Sequence, residues 1–429
     1  YFWADFDGNS KYELWISETG EDASLSPFFT TDSFPLLLFS GGNILYFQAD
    51  DGIHGYELWK SDGTEAGTVQ IKDIYPGING SDPNNFTNIN GTLFFVADDG
   101  THGQELWKSD GSEAGTVLVK DIYPGVNNSS PTSLINYNGT LLFSANDGTN
   151  GLELWKSDGT EAGTVLVKDI YPGDYNSNSN IHYMTLFDGS VFFSAIESTH
   201  GYELWKTDGT EAGTVLVKDI NTGVGNSSPE YLTVVGDTLF FKAYDETYNI
   251  ELWKSDGTNT GTVLVKDINP GVEVGDQSIP MNLRNLDGIL FFTAVDDTHG
   301  RELWKSDGTE AETILVKDVY PGITGSDPIF LTNVDGTLFF SANDGTHGDE
   351  LWISDGTEAG TVLVKDIYPD AEGSYPRYLT YFNNALYFTA YDEAHGNELW
   401  KSDGTEAGTV LVKDILPGFS DSYPEYLTN

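Results

Sequence analysis

The chain has 429 residues, with 67 Asp plus Glu against 20 Lys plus Arg, a formal net charge of −47 and no cysteine. That composition excludes disulfides, thiolate metal sites and cysteine nucleophiles, and a charge so negative repels nucleic acid and anionic lipid. Aromatic residues at 13% supply core material that a disordered acidic chain lacks. No apolar run is long enough to span a membrane. The opening Tyr1-Phe2-Trp3-Ala4-Asp5 has no basic-then-apolar leader, so if the native protein is exported the chain is a mature or an excised piece; the composition reads as that of a folded, acidic, extracellular or cell-surface protein.

The predicted elements recur with a period near 48 residues. Glu-Leu-Trp ends at Trp15, Trp59, Trp107, Trp155, Trp205, Trp253, Trp304, Trp352 and Trp400. Within one unit, turn residues separate four short β-rich runs: Ser133–Asn138, Leu141–Ala145, Leu152–Ser157 and Thr164–Ile170. Asn138-Gly139 signals a hairpin, Asn146–Gly151 a polar tip, and Tyr171-Pro172-Gly173 leads to the next unit. No segment has a helical apolar period, so the prediction is an all-β propeller of four-stranded blades. The chain begins in a second strand and stops after a first strand, Tyr426-Leu427-Thr428-Asn429. Residues 1–30 and 424–429 should therefore complete one blade, giving nine blades in a single closed domain over 1–429. The first unit lacks the Asp-Gly-Thr and Val-Lys-Asp-Ile signatures, which leaves an eight-bladed ring as the alternative.

Glu57-Leu58-Trp59-Lys60-Ser61-Asp62-Gly63-Thr64 and its counterparts resemble the bacterial repeat family named for Glu-Leu-Trp-x-x-Asp-Gly-Thr, found in large secreted or surface proteins. Seven of the nine units carry the full pattern; Ser112 replaces Thr in one, and the first has Ser17-Glu18-Thr19. The resemblance implies a propeller and an extracellular setting, and no active site.

The repeated Glu shares a strand face with Trp and needs a partner if buried. The expected register puts Glu105 opposite Lys120, Leu106 opposite Val119 and Trp107 opposite Leu118; a one-residue slip would put Glu105 against Asp121 and call for a cation. Ser-Asp-Gly-Thr is read as turn chemistry. The acids of the tips, Asp51, Asp99, Asp147, Asp296, Asp344 and Asp392, are the hard oxygen donors that Ca²⁺ selects, the competing reading being a solvated acidic turn. Six His-Gly pairs at these tips read as turn residues, since one His per blade does not gather around zinc. Fifteen of the 20 cations belong to the repeat, which leaves no basic patch for nucleic acid. Tyr75, Tyr123, Tyr171, Tyr320 and Tyr368, in the blade-joining loops, either line shallow glycan pockets between blades or cover the blade core.

An enzyme needs an asymmetric constellation, whereas these acids and His are spread almost evenly over nine units. Departures from the repeat (His182, Met184, Met281, Arg284, Arg301) would mark such a site but compose no mechanism. The expected function is non-enzymatic: a multivalent, monomeric binding or adhesion module for a glycan or surface polymer, with Ca²⁺ as a helper. The alternatives are a platform for another protein on one ring face, and a hydrolase with a site in the central funnel.

Overall fold

Strand formation follows the apolar pattern. In the computed structural model, which describes residues 2–5, 12–16, 26–31, 36–41, 44–173, 176–270, 277–369 and 371–428, a typical unit forms strands Thr132–Tyr137, Thr140–Asn146, Leu152–Ser157 and Val165–Lys168, paired in that order. The second strand is a near-continuous apolar run, TLLFSAN, because it is covered on both faces. Leu141, Leu142, Phe143 and Ala145 are fully buried. The fourth strand is short and half-exposed, as suits an edge.

Nine antiparallel sheets result, numbered here one to nine by the tryptophans from Trp15 to Trp400. Sheet one contains Phe2–Ala4, Tyr12–Ile16 and Ser26–Thr31. The C-terminal segment supplies its first-strand position. Trp3 N–H donates to Glu425 O at 3.1 Å, Glu425 N–H returns to Trp3 O at 2.9 Å, and Asp5 N–H reaches Ser422 O at 2.9 Å. The first unit therefore forms a sheet despite its missing signatures, and the eight-sheet alternative does not apply. Much of the weak stretch 18–33, together with parts of the loops 174–180 and 271–280, lies outside the described residues.

The cores lie between sheets, and among the described residues there are nine, each drawn from two sheets. Phe94, Leu106 and Val119 of sheet three, for example, pack on Leu141, Phe143 and Trp155 of sheet four. Trp3 and Leu14 of sheet one meet Phe47 of sheet two, and Phe2 and Trp15 meet Tyr387 and Leu399 of sheet nine.

The repeat lysines stitch neighbouring sheets. Lys108 Nζ donates to Gly159 O of the next sheet's turn at 2.8 Å, and Lys120 Nζ donates to Thr164 O at 2.9 Å while lying over the Trp155 ring. Lys60, Lys156, Lys206, Lys254 and Lys305 repeat the first contact. This is the scaffold role expected of them.

The register between third and fourth strands differs from the expectation. Leu106, not Glu105, lies opposite Lys120, and a bulge before Trp107 restores Trp107 opposite Leu118. The extra residue turns Val119 into the core, where it is 5% exposed. Glu105 has neither Lys120 nor Asp121 as its cross-strand partner there; on its other side it sits opposite Ala97.

Candidate functional site

Each sheet has two ends. One carries the first hairpin and the Ser-Asp-Gly-Thr turn; the other carries the tip and the loop to the next sheet. The Ser-Asp-Gly-Thr segment is a turn, as read from sequence. Asp110 Oδ1 accepts from Ser112 N–H and Oγ, and Ser109 Oγ pairs with Thr116 Oγ1. Hydrogen bonds from Ser112 hold the Asp110 carboxyl below its ordinary range. Clefts of about 280 to 560 Å³ open between successive sheets at this end, one of about 560 Å³ being lined by Phe291, Lys305, Asp307 and Asp355.

At the opposite end, every described Glu of Glu-Leu-Trp from sheet two onward closes a loop. Glu105 is fully buried, and its two oxygens accept from Ile122 N–H (2.9 Å), Tyr123 N–H (3.2 Å), Ser129 N–H (3.2 Å) and Ser129 Oγ (2.6 Å). The strand thus holds the joining loop from both sides through backbone donors and the Ser129 hydroxyl rather than through a cation. Burial pushes the Glu105 carboxyl up to about 7, against the pull of Ser129, Ile122 and Tyr123. The sequence signal for this clasp was the Ser that recurs in each joining loop.

The tip acids face their own tip. Asp99 Oδ1 accepts from Thr101 and His102 N–H, and Asp99 Oδ2 meets His102 Nδ1 at 2.8 Å. Asp51, Asp296, Asp344 and Asp392 repeat this with His54, His299, His347 and His395. Asp147 holds Asn150 instead. Burial alone would raise the Asp99 carboxyl, but the His102 and Thr101 hydrogen bonds outweigh it and hold it low; His102 is raised in return. The six candidate calcium ligands stand one to a sheet, and among the described residues no three His, Asp or Glu side chains gather for a metal. The tips of sheets four and six lack His and set carboxylates near each other: burial and then the charge of Asp147 raise Asp169, and burial and then Asp245 raise Asp267.

The joining-loop tyrosines are half-buried. A Cβ on Gly100, at φ +76°, would fall 2.6 Å from the Tyr75 ring; Gly148 and Gly345 make the same approach to Tyr123 and Tyr320. These three rings lie on the next sheet's tip, which accounts for the Gly there. Tyr368 packs edge-on to Tyr391 at 5.1 Å, and the Tyr171 N–H donates to Glu153 Oε1. The clefts described above lie at the other end of the sheets. In five joining loops, three of them carrying one of these tyrosines, the residue after Gly is apolar and outward: Ile78, Val126, Val224, Ile323 and Phe419 are 75% to 82% exposed.

Sequence reasoning missed a second feature. Two non-glycine positions per unit adopt positive φ where the joining loop becomes the first strand. One precedes Pro or Ile: Asp82, Ser130, Asn180, Ser228, Ile279, Asp327, Tyr375 and Tyr423, at φ +43° to +51°. The other follows three residues later: Asn85, Ser133, Tyr183, Tyr231, Asn282, Phe330, Tyr378 and Tyr426, at +54° to +58°. First strands of successive sheets contact one another, so these positions form a row. Unlike the rest of the repeat, its residues vary. Arg284 and Arg301, noted in the sequence as departures, lie beside it: Arg284 Nε donates to Leu331 O, and Arg301 Nη1 donates to Ile279 O.

No family model matches the chain, and no curated protein does. Among solved structures it is similar to a computationally designed protein, Ika8 (15% identity, TM-score 0.45, 82% of this chain and 92% of that one). It is similar also to a puromycin hydrolase (13%, TM-score 0.40, 77% and 53%) and to a prolyl endopeptidase structure (12%, 0.43, 77% and 49%). The chain spans about half the length of these two hydrolases.

Proposed function

We propose that the chain is a non-enzymatic, multivalent binding module of an exported bacterial protein, closed into a nine-bladed propeller and related to the repeat family its pattern resembles. The nine inter-sheet cores, with sheet one packed on both sheet two and sheet nine, support closure. The observation that carries the binding role is the crown of Ile78, Val126, Val224, Ile323 and Phe419, one outward apolar side chain in each of five joining loops. Such a recurrent exposed set is the mark of a contact surface, and weak contacts repeated on one body gain avidity together. The partner is a glycan or surface polymer with apolar as well as hydroxyl faces; the aliphatic nature of four crown residues favours a protein partner as the second reading.

Adsorption to intact bacterial cells and to immobilised surface polysaccharide tests this. Replacing all five crown residues by Ser should cut binding roughly 10²-fold, by loss of avidity, and any single replacement far less. Equal adsorption of the wild type and the fivefold variant would overturn the reading. Calcium assistance is confined to the tips of sheets four and six, which lack His. Millimolar Ca²⁺, but not Mg²⁺, should raise the Tm of chelator-treated protein, and Asp147→Asn with Asp245→Asn should remove the rise. An unchanged Tm in the wild type sinks the calcium role.

A further inference from the structure

We propose that sheets eight, nine and one carry a single asymmetric site for a neutral, hydroxyl-rich saccharide, built on Phe330, Tyr375, Tyr378, Tyr423 and Tyr426 with Arg377 among them. This site is distinct from the crown, and its failure would leave the multivalent reading standing.

The argument begins with backbone cost. A bulky side chain at positive φ is an outlier, costing on the order of 1–3 kcal/mol at each position. The equivalent positions in sheets three and four are Asp82, Asn85, Ser130 and Ser133, small polar residues that tolerate this conformation better. On sheets eight, nine and one, five of the six such positions are aromatic instead, with φ from +44° to +57°. Replacing them by Gly would relieve strain at each, so the rings are kept for something other than the turn.

Nor does the core require the most exposed of them. Phe330 is 38% exposed, Tyr375 42% and Tyr423 50%. The Tyr378 and Tyr426 rings lie 6.1 Å apart and tilted, offering neighbouring faces on adjacent first strands. Exposed aromatic faces grouped this way suit the C–H faces of pyranose rings.

The polar groups around them define the ligand further. The chain has three arginines, and one of them, Arg377, is exposed within this group, where its charge acts on the Glu425 and Asp349 carboxyls. Its fork can donate to ring or hydroxyl oxygens. Asp327, 72% exposed, and Glu425 supply acceptors for hydroxyls. A net charge of −47 opposes polyanions, so the matching ligand carries hydroxyls and no negative charge.

The test is isothermal titration with neutral hexasaccharides (β-glucan, mannan and galactan), with an oligoglucuronate of equal length as the charged control. At least one neutral oligomer should bind with Kd below about 1 mM, a modest affinity for a shallow site. Tyr375→Gly and Tyr423→Gly should each weaken binding at least tenfold while Tm stays level or rises, because strain is removed with the ring. Tyr183→Gly, at the position on sheet five that Tyr378 and Tyr426 hold on sheets nine and one, should leave binding unchanged. The proposal is overturned if no neutral oligomer binds, if only the oligoglucuronate binds, or if the Gly variants bind as the wild type. A fall in Tm without loss of binding would mark the rings as packing groups and likewise overturn it.

Discussion

Acidification from pH 8 to pH 5 is expected to stabilise this protein, raising Tm by on the order of 10 °C. The cause is the set of eight buried clasps formed by Glu57, Glu105, Glu153, Glu203, Glu251, Glu302, Glu350 and Glu398, each raised to about 7 by burial. In the unfolded chain the same groups titrate near 4.5. A folded pKa above the unfolded one means that the stabilisation is complete below about 4.5 and is lost as pH rises through about 7. One such shift corresponds to roughly 3 kcal/mol at most. Five tip histidines act in the same direction, since His54, His102, His299, His347 and His395 are raised by their Asp partners. The lowered tip Asp groups oppose it only at more acidic pH.

Self-repulsion of the −47 charge would also favour acid, but salt screens exposed charge and leaves buried groups almost untouched. Thermal melts at pH 5, 6, 7 and 8 in 1 M NaCl separate the two. A pH dependence that survives salt belongs to the clasps; a profile that becomes flat assigns it to surface repulsion. Glu105→Gln should remove one share of the salt-resistant slope, because the amide does not ionise. Glu105→Ala leaves four donors without an acceptor and should cost several kcal/mol at any pH, at about 1–3 kcal/mol for each buried unpaired group.

The strand plan was legible because each unit declares it. Leu152–Ser157 matches the expected run, and the other three strands differ by a few residues at their ends. Trp107 opposite Leu118 was legible from apolar pairing; the position of Glu105 was not, because a bulge shifts the ladder at a single residue and Val119 satisfies either register by hydrophobicity. The tip was legible as a turn, but its His reads as a bystander until Nδ1 is found on Asp99. Repetition also hid the row of positive-φ residues. A search for recurring chemistry discounts the positions that vary, and nothing local in Ser-Tyr-Pro announces that Tyr375 will take a left-handed backbone. The departures noticed in sequence included Arg284 and Arg301 but not Arg377, whose setting among aromatic residues depends on sheet nine lying against sheet one.

That adjacency sets the second large effect. A chain ending at Gly418 should lose cooperative unfolding and aggregate, and a peptide of residues 419–429 added in trans should restore it. Trp3 is fully buried, packs edge-on against Phe47 at 5.7 Å, and exchanges both backbone hydrogen bonds with Glu425. Without the C-terminal segment this pairing ends and sheet one keeps a bare inner edge, a ready template for another chain. Glu398 also loses Ser422 Oγ, its donor at 2.7 Å, and Thr380 Oγ1 loses Leu427 O at 3.1 Å. The damage thus reaches sheet nine as well. Trp3→Ala provides the milder comparison: it removes one large buried side chain between sheets one and two and should cost about 3–5 kcal/mol while leaving the strand pairing in place. If the truncated chain melts with the Tm of the full chain and stays monomeric, the terminal strand does not hold the first and last sheets together and the closed propeller is wrong. If the peptide restores Tm in a saturable way, closure depends on this one segment, and the arc of aromatic residues spanning sheets eight, nine and one exists only in the closed form.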